Sequence, residues 1–326
     1  MAPLLEVHHL VKQYVAPGTL LGKRGKLVRA VADVSFAVEQ GETLGLVGES
    51  GSGKSTLAKC LMFLEAPTSG AIRFNGEQVT AEMALRLRRQ AQLIFQDPYS
   101  SLPPRMRVGD ILADPLLIHG LADRRGASER VRRLLADVGL GAEVLRRYPH
   151  QFSGGQRQRI SIARALAVAP SLVIADEAVS ALDVSVQAQV LNLLKELQTQ
   201  YGLTYLFISH DLGVVRYMSH RIAVMHLGEL VEIGAAADVY HRPLHPYTRV
   251  LLSAVPSLDR ASWRPIRLRG EPPNPANPPP GCKFHTRCPL AQARCRVEAP
   301  LLQEWLPGRQ VACHYALDEF PAEPGG

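Results

Sequence analysis

The chain has 326 residues, of which 46% are hydrophobic and 21% are charged, and its formal net charge is +7. This length allows one large core, or one domain with an appendage. The positive charge suits contact with phosphate, nucleic acid or anionic headgroups without selecting among them. The longest apolar runs are far shorter than the roughly 18–20 residues that span a bilayer, and residues 1–14 have no continuous apolar segment typical of a signal peptide. We therefore expect a cytosolic chain that reaches a membrane only through a partner.

The first hundred residues are predicted to form mainly strands. Apolar segments rich in β-branched residues lie at 4–7, 31–38, 42–47, 71–74 and 92–95. Turn residues stand between them at Pro17-Gly18 and at Asn75-Gly76, the second being a strong hairpin signal. A helix is predicted over 57–64, continuing from a glycine-rich loop.

The middle of the chain changes character. From about residue 105 to residue 170 helical spacing dominates, as at Val131, Leu134, Leu135 and Val138. Further apolar strands are then predicted at 172–175, 204–208 and 222–225. Strands that alternate with helices indicate a parallel sheet covered on both faces, here interrupted by a helical insertion.

The end of the chain is rich in proline and cysteine. Residues 271–281 include six prolines, which exclude a helix or a central strand and predict an extended segment. Four of the five cysteines follow, and in a reducing cytosol such a cluster favours metal binding over disulfides, with free surface thiols as the alternative; they are Cys282, Cys288, Cys295 and Cys313. We expect this tail to have no hydrophobic core of its own, so that a metal would serve as its staple. The fifth cysteine, Cys60, is predicted to be an inert buried thiol.

The strongest motif is a phosphate-binding loop between the predicted strand 42–47 and a helix. The pattern G-x-x-x-x-G-K-[ST] is met by Gly48, Glu49, Ser50, Gly51, Ser52, Gly53, Lys54 and Ser55, followed by Thr56. Its glycines let successive backbone N–H groups point at phosphate oxygens, and the helix N-terminus adds partial positive charge. Lys54 is predicted to reach the β- and γ-phosphates and Ser55 to help hold Mg²⁺.

Two acids follow the apolar segment 172–175, about 120 residues after this loop. Asp176 is predicted to bind Mg²⁺. Glu177 stands where a carboxylate could orient or deprotonate an attacking water, and a solvated loop acid is the alternative.

A third motif resembles the signature sequence of ABC ATPases, with Phe152 in place of the usual leucine. It comprises Ser153, Gly154, Gly155 and Gln156, which would bind phosphate through a hydroxyl and glycine N–H groups at a helix start. The resemblance implies adenine stacking by Tyr14, for which a packed surface tyrosine is the alternative. It also implies a Q-loop role for Gln96 at Mg²⁺, a D-loop role for Asp183 and a γ-phosphate contact for His210.

Other segments are similar to the ATPases of dipeptide and oligopeptide permeases, and Ala178-Val179 resembles the second of their two ATPase subunit types. These segments are 95–102, 147–153, 180–190, 245–248 and 277–289. Pro103, where asparagine is usual, departs from the pattern beside the expected permease contact. The implied fold is an α/β P-loop NTPase core with an antiparallel β subdomain and a helical subdomain at about 100–170. The nucleotide-binding domain would span 1–240 and a C-terminal extension 241–326, holding the cysteine cluster 282–313.

This resemblance implies ATP hydrolysis that drives import of peptides or peptide-like solutes. Each ATP would lie between the P-loop of one subunit and the signature of another. The implied partners are a paralogous ATPase subunit, two transmembrane permease subunits and an extracytoplasmic solute-binding protein, with no nucleic acid, at the cytoplasmic face of the inner membrane. The cysteine pattern implies a four-iron–four-sulfur cluster, with Zn²⁺ as the alternative and His285 and His314 as spare ligands.

Two other functions fit the sequence less well. A soluble, non-transport ABC ATPase acting on nucleic acid or ribosomes would carry two cassettes or long coiled coils, and the roughly 100 residues between P-loop and signature show no heptads. A subunit that binds ATP without hydrolysing it is disfavoured by the intact Lys54, Asp176, Glu177 and His210. The sequence leaves open whether the solute is a dipeptide, an oligopeptide, a glutathione-like peptide or a nickel chelate.

Overall fold

The computed structural model describes residues 2–15, 27–97, 101–254, 266 and 273–317. The turn predicted at Pro17-Gly18 lies outside these residues, as do positions 98–100 after the Q-loop and Glu271 and Pro272 at the start of the proline-rich segment. Within the described ranges, no helix combines the length and the apolar character needed to cross a bilayer.

The described elements follow the predicted alternation of strands and helices. The strands are β1 (Leu5–Val15), β2 (Leu27–Val38), β3 (Thr43–Val47), β4 (Ser69–Phe74), β5 (Glu77–Gln78), β6 (Ala91–Ile94), β7 (Leu172–Asp176), β8 (Thr204–Ser209), β9 (Arg221–His226), β10 (Glu229–Ala235), β11 (Gln303–Leu306) and β12 (Arg309–Val311). The α-helices are α1 (Lys54–Leu61), α2 (Ala84–Gln90), α3 (Val108–Ile118), α4 (Arg124–Asp137), α5 (Gly154–Leu166), α6 (Val184–Tyr201), α7 (Leu212–Met218), α8 (Ala236–His241), α9 (Pro246–Ser253) and α10 (Ala293–Val297). Two short 3₁₀ helices cover Ala142–Arg146 and Pro149–Gln151.

The chain forms two compact units. The first is drawn from residues 1–5, 38–43 and 74–208, and the second from 6–37, 44–73 and 209–326. The second unit thus contains residues from both sides of the domain boundary expected at residue 240, which stays a prediction.

The first unit contains parallel strands and the helical insertion. Strands β6, β7 and β8 pair in parallel, with Ala91 opposite Leu172 and Leu172 opposite Thr204. Every residue of β8 is buried, as expected for a strand covered on both faces. In the helical region, Val131 and Leu135 are buried, so the predicted helical face is confirmed.

The second unit contains the P-loop and the end of the chain. Strand β3 pairs in parallel with β9, and β9 turns back antiparallel into β10 through Leu227 and Gly228, which both have positive φ. The ribbon β11–β12 then adds to β10. In a separate sheet, β1 lies between β2 and β4. The predicted mixture of parallel core, β portion and helical portion is confirmed.

The expectation that the tail has no hydrophobic core is wrong. A cluster formed by Leu244, Val311, Cys313 and Ala316 is buried within the extension, and Trp305, Leu306 and Tyr315 pack against it. Pairing of β12 with β10 delivers Val311 to this cluster, and Phe284 is 1% exposed. The prolines of 273–280 do not prevent the described residues after them, such as Phe284 and Val311, from being buried.

Candidate ATP-binding and hydrolysis site

The P-loop has a backbone shape that only glycine permits at two positions. Gly53, the N-cap of α1, has a φ of 106°, and a Cβ there would lie 2.1 Å from the carbonyl oxygen of Ala30. A Cβ on Gly48 would lie 2.2 Å from the carbonyl oxygen of Met225. The loop therefore runs in direct contact with neighbouring backbone before it enters the helix.

Lys54 lies inside this loop. Its ammonium donates hydrogen bonds to the carbonyl oxygens of Gly48 at 2.8 Å and Glu49 at 3.0 Å, and the residue is only 5% exposed. The N–H of Gly228 donates to the carbonyl of Ser52 at 2.8 Å, which ties the loop to the β9–β10 turn. The loop is thus wrapped around a positive charge, the arrangement that receives phosphate oxygens.

Tyr14 stands at the end of β1 with 37% of its surface exposed. Its hydroxyl donates to Glu65, and the Lys12 ammonium lies 5.2 Å from the ring centroid. Desolvation and then the Glu65 carboxylate raise the pKa of Tyr14 to about 12, so the phenol stays neutral. Stacking of this ring on adenine stays a prediction.

In the first unit, the predicted Q-loop glutamine contacts the glutamate that is predicted to orient or deprotonate the attacking water. The side-chain amide of Gln96 donates to the Glu177 carboxylate at 2.9 Å. Glu177 follows β7 in the left-handed region, with a φ of 50°, and its N–H donates to the carbonyl of Ile208 at 2.9 Å. A left-handed glutamate costs conformational energy, and such residues cluster at functional sites. Asp176, at the end of β7, is half-buried beside it in sequence.

The signature residues begin helix α5 with a capping box. The hydroxyl of Ser153 accepts from the N–H of Gln156 at 3.3 Å, and the Gln156 amide oxygen accepts from the N–H of Ser153 at 3.2 Å. A Cβ on Gly155 would lie 2.4 Å from a methyl of Val186, so this glycine also lets α5 pack against α6. That packing role was not predicted.

Asp183 and His210 are placed at helix starts. Asp183 caps α6, accepting from the N–H of Val186 at 3.0 Å and the Ser185 hydroxyl at 2.8 Å, and these hydrogen bonds hold its pKa below the usual range. His210 is exposed directly after β8, and the following Asp211 caps α7. Tyr14, the P-loop and His210 belong to the second unit; Gln96, Asp176, Glu177, Asp183 and the signature belong to the first.

The four cysteines of the tail line one pocket, together with His285 and His314. The N–H of Cys282 donates to the carbonyl of Cys295 at 2.8 Å, and Cys295 and Cys313 are buried. Burial raises the pKa of the Cys282 thiol, and that of Cys288 to about 12. Among the residues that the structure describes, no three His, Cys, Asp or Glu side chains are arranged to hold a metal ion. Cys60 is fully buried, as predicted.

Two residues that contact the P-loop were missed as site residues. The Tyr247 hydroxyl accepts from the N–H of Glu49, and the Arg287 guanidinium pairs with the Glu49 carboxylate. Both residues lie in segments that resemble the peptide-permease ATPases. The local sequence around them nevertheless does not indicate a contact with Glu49, which lies about 200 positions earlier in the chain.

Comparison with known proteins finds two matching family models and several similar relatives. A family model described as "ABC transporter" matches residues 31–180, and one described as "Oligopeptide/dipeptide transporter, C-terminal region" matches 231–295. The di/tripeptide transport ATP-binding protein DppF of Pseudomonas aeruginosa is 50% identical over 321 residues, covering 97% of this chain and 98% of its own. The oligopeptide transport ATP-binding protein AppF of Bacillus subtilis is 49% identical over 318 residues, covering 95% and 97%.

A solved structure is similar to this chain over about seven tenths of its length. It is the dimeric, post-hydrolysis state of the ATP-binding cassette MJ0796 bound to ADP and Pi, with a TM-score of 0.63 and 27% identity, covering 71% of this chain and 98% of that one. The chain therefore belongs to the ABC transporter family of ATP-binding proteins, among the members that carry the oligopeptide/dipeptide transporter C-terminal region.

Proposed function

We propose that this chain hydrolyses ATP to drive import of peptides or peptide-like solutes through an ABC transporter. The observation that carries the proposal is the hydrogen bond from Gln96 to Glu177, because it holds a candidate base in place directly after the acid expected to bind Mg²⁺. The P-loop wrapped around Lys54 supports the binding half of the proposal. The transport names of relatives about 50% identical over nearly the whole chain support the peptide cargo.

In this proposal the ATP phosphates lie against the backbone N–H groups of residues 48–56, with Lys54 on the β- and γ-phosphates. Tyr14 stacks on adenine and His210 contacts the γ-phosphate. Ser55, Gln96 and Asp176 supply oxygen donors suited to Mg²⁺, which would neutralise phosphate charge when bound.

The chemical step is an in-line displacement at the γ-phosphorus. Glu177 takes a proton from the attacking water as the new oxygen–phosphorus bond forms. The bond between the γ-phosphorus and the bridging oxygen breaks, and its electron pair leaves on ADP. Gln96 keeps the Glu177 carboxylate oriented, so most of the acceleration comes from positioning and electrostatics.

We also propose that two ATPase subunits act together. Ser153, Gly154, Gly155, Gln156 and Asp183 would complete the ATP site of the other subunit, as a hydroxyl and glycine N–H groups at a helix start suit phosphate. The dimeric cassette bound to ADP and Pi supports such pairing. Ala178-Val179 favours a paralogous ATPase as the other subunit, with two permeases and a solute-binding protein, at the cytoplasmic face of the inner membrane.

A metal centre in the extension is a further part of the proposal. Four thiols and three imidazoles line one pocket, and thiolate and imidazole are ligand types that a four-iron–four-sulfur cluster or zinc takes. The bound cluster would stabilise the folded structure of the extension. Anaerobically purified protein is expected to be brown, and Cys288→Ser to abolish the colour, whereas Cys60→Ser keeps it. Colourless protein with stoichiometric zinc would favour zinc, and metal-free protein would remove the site from the proposal.

The transport function is tested by reconstitution. The chain is co-purified with two permease subunits and a second ATPase subunit, and the complex is placed in proteoliposomes with a solute-binding protein. Peptide uptake that requires ATP and is lost with Glu177→Gln is expected. ATP turnover without any peptide uptake would contradict import, and full transport with this chain as sole ATPase would contradict the heterodimer.

A further inference from the structure

Glu49, the second residue of the P-loop, forms an ion pair with a residue of the C-terminal extension. Arg287 donates from both terminal nitrogens to the two carboxylate oxygens of Glu49, each at 3.0 Å. The Arg287 side chain is 7% exposed and that of Glu49 32%. A bidentate pair with one partner nearly buried fixes both position and orientation of the carboxylate, beyond what a surface ion pair achieves.

A second contact holds the backbone of the same residue. The Tyr247 hydroxyl accepts from the N–H of Glu49 at 2.8 Å. Tyr247 is fully buried, with its ring 5.3 Å from that of Phe284 and 4.4 Å from that of His226, centroid to centroid. Burial raises the pKa of Tyr247, so the phenol stays neutral. Phe284, which lies between Cys282 and Cys288 in sequence, thus packs against the Tyr247 ring.

A third contact reaches the loop through the β9–β10 turn. The Lys283 ammonium donates to the carbonyl of Leu227 at 2.8 Å and pairs with Glu229 at 2.9 Å. The next residue of the turn, Gly228, donates its N–H to the carbonyl of Ser52 at 2.8 Å. Three side chains of the extension therefore fix the first half of the P-loop at residues 49 and 52.

These contacts bear on ATP in two ways. They hold the loop in one shape, and a loop that adopts its binding shape only part of the time binds with an affinity reduced by that fraction. They also neutralise the Glu49 carboxylate, which would otherwise repel phosphate oxygens nearby.

We propose that Arg287 and Tyr247 are positioning residues for the P-loop, and that the cysteine-bearing segment thereby sets the affinity of the chain for ATP. The inference rests on the proposed ATP binding at this loop. It assigns the extension a part in nucleotide binding, in addition to any part in stapling the tail.

The test is binding of a fluorescent ATP analogue to the full chain, with melting temperature recorded for each variant. Arg287→Met is expected to weaken binding about tenfold, the effect of reducing the competent fraction to about one tenth, and to leave kcat at saturating ATP within about twofold. Arg287→Lys keeps the positive charge but cannot form the bidentate pair with Glu49. Its affinity for the analogue should therefore lie between those of Arg287→Met and wild type.

The matched control is Arg294→Met. Arg294 pairs with Glu298 through two hydrogen bonds of 2.7 and 2.6 Å in the same extension, but this pair is exposed and contacts no P-loop residue among the hydrogen bonds described. It should bind the analogue as wild type does. Tyr247→Phe should speed amide hydrogen exchange at Glu49, because the acceptor of that N–H is removed.

A folded Arg287→Met that binds within twofold of wild type would overturn the inference, as would an equal loss in Arg294→Met. Should Arg287→Met fail to fold, an unchanged affinity in Arg287→Lys together with unchanged exchange in Tyr247→Phe would overturn it as well. Lys54→Ala separates this result from the proposed function: if it binds as wild type does, ATP binding at the loop is wrong, whatever Arg287 does.

Discussion

Gln96 and Glu177 stand 81 positions apart, yet the amide of the first donates to the carboxylate of the second at 2.9 Å. The parallel pairing of β6 with β7 explains the contact, since both residues follow the carboxyl ends of these neighbouring strands. The left-handed backbone at Glu177 turns the chain immediately after β7. A base that is already oriented before substrate arrives needs less reorganisation in the chemical step.

Glu177→Gln is expected to keep ATP binding and to lower kcat at least hundredfold, because general-base catalysis contributes about 10²–10⁴. Steady-state phosphate release and analogue binding measure the two effects separately. Turnover within threefold of wild type would place the base elsewhere.

Gln96→Ala should lower kcat about tenfold, because a hydrogen bond to a charged group contributes about 1.5 kcal/mol and 1.4 kcal/mol is a factor of ten. ATP affinity should change less than kcat. Gln200→Ala, which removes a side-chain hydrogen bond to Asp137 outside the predicted site, is the control and should leave kcat unchanged. Equal kcat in the two variants would show that the Gln96 contact has no catalytic role.

Gly53→Ala and Gly51→Ala separate steric from conformational demands in the P-loop. Both glycines have positive φ, but a Cβ meets backbone at 2.1 Å only at Gly53 and meets nothing within 4 Å at Gly51. Gly51→Ala should cost about 1–2 kcal/mol of unfolding free energy, and Gly53→Ala should cost more and abolish ATP-analogue binding. Urea unfolding and binding measure this; equal losses would contradict the close approach of Ala30.

The free energy of unfolding should decrease at acidic pH because His226 is buried in the folded protein. Its burial lowers its pKa to about 4, whereas the unfolded chain binds this proton near the usual value of about 6.5. The unfolded state therefore holds more protons below pH ~6.5, and the stabilisation present above that pH is lost as pH falls toward ~4. At pH 5.5 the loss is about 1.4 kcal/mol. Urea unfolding at pH 7.5 and 5.5 should show a smaller difference for His226→Phe than for wild type, and an equal difference would exclude this histidine as the source.

Replacement of Arg309 should destabilise the protein, because Arg309 of the extension forms a buried ion pair with Glu232 of β10. Arg309 and Glu232 are 4% and 0% exposed in their side chains and pair at 2.6 Å, and Glu232 also accepts from the N–H groups of Leu244 and His245, each at 2.9 Å. Arg309→Met leaves a buried carboxylate without its cation and should destabilise the protein by about 3–5 kcal/mol. Arg294→Met removes an exposed pair and should cost less than about 1 kcal/mol. Similar melting temperatures for the two would contradict the buried role of Arg309.

The sequence by itself determined the family, the P-loop, the Asp176-Glu177 pair and the signature, because phosphate and metal chemistry requires particular residues at contiguous positions. It also predicted the parallel strands and the helical insertion, since burial imposes periodicity on nearby residues. The packed core of the tail and the contacts of Arg287 and Tyr247 with Glu49 were decided only by the tertiary structure. Arg287 and Glu49 are 238 positions apart, and no local pattern encodes which distant side chains meet. Pairing of β12 with β10 and burial of Phe284 and Tyr247 bring the end of the chain to the loop near its beginning.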